Sequence, residues 1–116
     1  MDRTTLTVLT IPGPQHVTLR VSGEIDLGTA PQLREAALEA LRHHGSDLRL
    51  DLRDVHFMDS TGIEVLLATR RRAALEGGSL TLVRPSRPVQ RILQVTGVDR
   101  LFEITQPAST TQVTGA

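Results

Sequence analysis

Apolar residues along this chain alternate with polar ones in several short stretches, and between those stretches they recur at helical spacing. Leu6 to Ile11 is β-rich and closes on Pro12-Gly13-Pro14, a strong turn signal. His16 to Ser22 places Val17, Leu19 and Val21 on one face and Thr18 and Arg20 on the other. The two stretches predict a β-hairpin with one buried face. Ser22-Gly23-Glu24-Ile25-Asp26 follows as a loop or a bent strand end. Leu48, Leu50 and Leu52 alternate with Arg49 and Asp51 and predict a third strand. Leu80 to Val83 predicts a fourth, and Leu101 to Ile104 a short last one.

Three helices fill the gaps. Thr29 stands as the N-cap of the first, with Pro31 in its first turn and Gln32 three residues on, a capping-box pattern. Leu33, Ala37 and Leu41 form its apolar stripe, and Gly45 stops it. The second starts at Ser60 or Thr61 and runs through Ile63, Leu66, Leu67 and Ala74 to Gly77-Gly78. Ser86 caps the third, with Pro88 in its first turn, Val89, Ile92 and Leu93 inward, and Gly97 at its end. Repeated strand-helix-strand units imply parallel pairing, and the opening hairpin adds an antiparallel edge. The expected fold is therefore α/β. It is a single domain over residues 4–105, with a mixed, mostly parallel sheet of about four to five strands and helices packed on it. Residues 106–116 are rich in Ser, Thr, Gln, Pro and Gly and predict a disordered tail.

Composition narrows the function. A chain of 116 residues suits one domain, and 39% hydrophobic content suffices for one modest core. Thirteen basic and thirteen acidic residues cancel, so no overall field draws the protein to nucleic acid or to an anionic membrane. Two Phe are the only aromatics, too few for base-stacking platforms. Without cysteine there is no disulfide, no thiolate metal site and no thiol nucleophile. No apolar run is long enough to cross a bilayer, and no signal-peptide core follows Met1. The expected location is the cytoplasm. Every basic residue is Arg, which suggests a GC-rich bacterial genome.

The stretch with candidate chemistry is a loop from Asp54 to Gly62, and within it Asp59-Ser60-Thr61-Gly62 joins a strand to a helix start. Ser60 and Thr61 set hydroxyls at the positive end of that helix, where negative charge is favoured. Gly62 leaves the backbone uncrowded for a partner's approach. Glu64 lies three residues after Thr61, as in a second capping box. Capping is the commoner role of such residues, and it is compatible with a phosphate on Ser60. Elsewhere, Arg70-Arg71-Arg72 reads as a solvated helix face with Glu64 and Glu76 as counter-charges. His43 and His44 are adjacent, which is wrong for a helical metal pair. No nucleophile-base pair marks an enzyme, and no cofactor or metal is expected.

The run from Leu48 through Asp59-Ser60-Thr61-Gly62 to Ile63 resembles the signature of STAS domains, in particular anti-anti-sigma factors. Gly23-Glu24-Ile25-Asp26 resembles that family's upstream element, and Leu93 to Phe102, with Thr96-Gly97, its downstream segment. The resemblance covers Leu6 to Ile104. Many members end in a further amphipathic helix, which Pro107 and the absence of later leucines argue against here. The resemblance implies a non-enzymatic anti-sigma factor antagonist. Its phosphoacceptor would be Ser60, with Thr61 the second choice, and its partner an anti-sigma factor that is also a GHKL-type serine kinase. A serine phosphatase would reset it. Asp26, Asp59, Ser60, Thr61, Gly62 and Glu64 would form the contact surface. Competing readings are a STAS subunit of a stress-sensing assembly or of a membrane transport complex, and a small anion- or nucleotide-binding module.

Overall fold

The computed structural model describes residues 5–106. The alternating stretches become β1 (Leu6–Pro12), β2 (Val17–Ile25), β3 (Asp47–Met58), β4 (Ser79–Val83) and β5 (Glu103–Thr105). Between them lie α1 (Ala30–His44), α2 (Ser60–Leu75), α3 (Arg87–Val95) and one 3-10 turn, Asp99–Leu101. The sheet order is β1-β2-β3-β4-β5, with β1 antiparallel to β2 and all other neighbours parallel.

The apolar phases of the strands meet in register. Val17 lies beside Leu48 and Leu48 beside Leu80; Leu19 lies beside Leu50 and Leu50 beside Leu82. All of these side chains are buried, each contributing roughly 1.5–3 kcal/mol relative to an exposed position. Helices α1 and α2 pack on each other and on the sheet, burying Leu33, Ala37 and Leu41 from one and Ile63, Val65 and Leu66 from the other. Helix α3 packs mainly against β3, with Val89 and Leu93 inward.

Several expectations about local structure change. Of the two readings for Ser22 to Asp26, a loop or a bent strand end, the second holds: β2 runs to Ile25. Its register slips between Arg20 and Ser22 and again between Gly23 and Glu24. Gly23 has φ +114°, and a Cβ there would run into the Thr5 carbonyl, so only glycine fits the bend. Likewise β3 continues to Met58, where a loop was expected from Asp54, because Val55 to Met58 pair with Gly23 to Ile25. The last strand begins at Glu103, and Leu101 belongs to the 3-10 turn before it.

The predicted caps are also used differently. Thr29 is the N-cap of α1, but its hydroxyl donates to the Glu24 carbonyl at 2.7 Å and accepts from Asp26 N–H at 3.0 Å. Gln32 reaches the Leu6 carbonyl at 3.0 Å, tying α1 to β1. The Ser86 hydroxyl donates to the Val55 carbonyl at 2.6 Å and makes no cap bond. Asp51, which alternates with the leucines of β3, is buried. Arg84 donates to its carboxylate from β4's end, and Arg20 lies 4.0 Å away. Residue 4 and residues 107–116, the expected tail, lie outside the described residues.

Candidate functional site

Ile25 pairs with Met58, so β2 and β3 end side by side and release Asp26 and Asp59 next to each other. Asp59 N–H donates to the Ile25 carbonyl at 3.2 Å, which locks the two ends together. Asp26 is half-buried. Its carboxylate accepts from Gly28 N–H at 3.0 Å and from Thr29 N–H at 3.1 Å, which folds the chain back into α1.

Asp59 is the N-cap of α2. One of its carboxylate oxygens accepts both the Thr61 N–H, at 2.9 Å, and the Thr61 hydroxyl. Its carbonyl accepts from Gly62 N–H at 3.0 Å. A carboxylate in this place is favourable, since it meets orphan N–H groups at the positive helix end. Thr61 therefore does not cap the helix. Glu64, exposed in the second turn, closes no capping box.

The two candidate hydroxyls are now distinct. Thr61 is half-buried and held by Asp59. Ser60 is exposed, and among the described residues its hydroxyl makes no hydrogen bond. Gly62 faces the other way: it is buried, and a Cβ there would overlap the Met58 side chain and come within 3.0 Å of Ile25 Cγ2. Its missing side chain lets α2 sit down on the strand ends. That replaces the outward approach expected of it.

Two apolar residues that the sequence reading did not single out border this turn. Leu27, directly after Asp26, is 76% exposed, and Phe57, two residues before Asp59, is 46% exposed. The signal was present: an apolar residue between Asp and Gly in a loop, and a phenylalanine off the buried phase of β3. Among the described residues no three His, Asp or Glu side chains gather to hold a metal ion, and no helix is long and apolar enough to cross a membrane. Asp26, Asp59 and Glu64 have no arginine or histidine within 4.0 Å among the described residues. The turn thus offers an accessible nucleophilic hydroxyl amid uncompensated carboxylates, beside apolar surface.

A family model described as Mlab, STAS domain, matches residues 12–105. The chain belongs to the STAS domain family. Within it the chain stands among anti-sigma factor antagonists. The anti-sigma-B factor antagonist of Bacillus subtilis is 40% identical over 88 residues, covering 76% of this chain and 80% of that one. The crystal structure of an anti-sigma factor antagonist from Mycobacterium paratuberculosis matches this STAS domain with a TM-score of 0.77 at 31% identity, over 86% and 85% of the two chains. The Bacillus cell fate determinant SpoIIAA in its phosphorylated form shares the fold, with a TM-score of 0.66 at 20% identity over 91% and 96%.

Proposed function

We propose that this STAS domain acts as an anti-sigma factor antagonist switched by phosphorylation of Ser60. Unphosphorylated, it binds an anti-sigma factor that is also a GHKL-type serine kinase; phosphorylated, it does not. A serine phosphatase returns it to the binding form. Asp26, Asp59, Ser60, Thr61, Gly62 and Glu64 mark the binding turn, with Gly62 acting from inside by seating the helix.

The observation that carries this reading is the Ser60 hydroxyl, exposed and unbonded among the described residues at the first position of α2. A phosphate there adds about −1.5 to −2 charges at neutral pH. Two amides of the helix end are already engaged by Asp59. The new charge stands beside the Asp59 and Asp26 carboxylates, which already hold amides of the two helix starts. It makes the rim of the turn strongly acidic and raises the cost of desolvating it against a partner. A hundredfold loss of affinity needs only about 2.7 kcal/mol. Existence of a phosphorylated SpoIIAA structure of the same fold supports a modification that leaves the domain folded.

Incubation with a candidate anti-sigma kinase and ATP, followed by mass spectrometry, tests the site. One phosphate on Ser60 is expected, and none on Ser60→Ala. Calorimetric titration then reads the switch: Ser60→Ala keeps the wild-type affinity, and Ser60→Asp binds about a hundredfold more weakly. Equal affinities for the two variants remove the mechanism. A pull-down separates the alternatives, because a stress-sensing or transport subunit would bring down other STAS proteins or transporter components instead of a GHKL-type ATPase.

A further inference from the structure

β1 is an edge of the sheet, and among the described residues nothing pairs with its outer side. Natural sheet edges are protected by shortness, charge, a bulge or a well-placed proline. The opposite edge, β5, follows that rule with three residues and Glu103 at its start. β1 does not. Its seven residues carry no charge, no register slip against β2, and a proline only at the last position. Leu9 and Ile11 are 52% and 36% exposed on it.

Hydrogen-bond phase shows which backbone groups face outward. Thr5 accepts from Glu24 N–H at 3.0 Å and Gly13 N–H donates to His16 at 2.8 Å, both in the register of the β1–β2 pair. Antiparallel ladders alternate, so the odd-numbered residues bond to β2. Leu6, Val8, Thr10 and Pro12 then present their groups to the free edge. One of these groups, the Leu6 carbonyl, is already held by Gln32.

We propose that a second copy of this chain pairs at this edge, β1 antiparallel to β1, about a two-fold axis through Leu9. This register sets Val8 opposite Thr10 and Leu6 opposite Pro12. Val8 and Thr10 exchange both N–H···O bonds, and symmetry repeats the exchange. Leu6 N–H donates to the Pro12 carbonyl. The return bond cannot form, since proline has no N–H, and its acceptor would be the Leu6 carbonyl that Gln32 already occupies. Every outward backbone group is then satisfied. A slip to Val8 opposite Val8 would instead aim Thr10 N–H at the occupied Leu6 carbonyl.

Side chains fit the same axis. Leu9 meets Leu9 at a close, non-hydrogen-bonded pair, and Ile11 meets Thr7 on the same face. No charged residue lies on the strand, so the two-fold brings no like charges together. One strand pair buries less than the roughly 1,200 Å² at which stable interfaces begin, so the dimer is weak and concentration-dependent. β2 separates this edge from β3. The Ser60 turns stay uncovered and point to opposite ends of one continuous sheet.

The chain has no cysteine, so Leu9→Cys puts a single thiol on the axis, within disulfide reach of its symmetry mate. Mild oxidation should convert that variant to a covalent dimer. Sedimentation velocity on the wild type should show a dimer fraction that rises with concentration. Thr10→Pro removes an outward N–H without touching the β1–β2 ladder, and edge strands tolerate such a proline. It should return the protein to monomer and abolish the Leu9→Cys cross-link. Leu75→Cys, at an exposed helix end, controls for random collision. A wild type that is monomeric at every concentration overturns the proposal. So does a dimer that survives Thr10→Pro, or a Leu9→Cys cross-link no stronger than that of Leu75→Cys.

Discussion

Two helices of this domain start at a serine just after a parallel strand, and the two serines meet opposite fates. Ser60 opens α2 behind β3, exposed and without a hydrogen-bond partner among the described residues. Ser86 precedes α3 behind β4, and its hydroxyl and amide are both spent on β3, at the Val55 and Leu52 carbonyls. The charges around them differ in the same sense. Asp59 and Asp26 face no cation within 4.0 Å, whereas Asp51, beside the second corner, is gripped by Arg84 with Arg20 close by. Arg84 has φ +51°, and its amide bonds the Thr105 carbonyl. One corner holds three strands together; the other presents a hydroxyl. Ser86 is an N-cap and Ser60 the first helical residue, one position apart, and residue type does not separate them. What does is whether the neighbouring strand claims the side chain.

The contrast breaks or sharpens under substitution. Asp51→Ala should be the most damaging, since it strands the Arg84 guanidinium; a loss of about 2–3 kcal/mol in urea denaturation is expected. Gly62→Ala comes next, at roughly 1–3 kcal/mol, because the added methyl overlaps Met58. That result would show that the presenting turn has a structural inner side. Ser86→Ala should cost about 1 kcal/mol by leaving the Val55 carbonyl short of a donor. Ser60→Ala should change thermal stability by less than about 0.5 kcal/mol. If the two serine variants prove equally destabilising, the division of labour drawn between the corners is wrong.

Alternation carried most of the fold into the sequence. Val17, Leu19 and Val21, with Leu48, Leu50 and Leu52, announce strands whose apolar phases meet in register. The pattern failed where the strands bend. Arg53 to Phe57 departs from strict alternation because β3 carries extra residues against β2, one between Asp51 and Asp54 and one between Val55 and Phe57, so strand was read as loop. The burial of Asp51 was not legible either: alternation marks it only as a polar position, and its burial goes with an arginine 33 residues away. The turn that carries the proposed site was legible as a motif. The separation of Ser60 from Thr61 was not, since it rests on which hydroxyl Asp59 happens to reach in three dimensions.

That reach has a consequence for any enzyme acting on the turn. Two neighbouring hydroxyls differing by one methyl group would ordinarily demand a discriminating active site. Under the proposed switch the turn itself would do the sorting, because Thr61 is tethered by its own chain. A permissive transferase would still yield a single, homogeneous product.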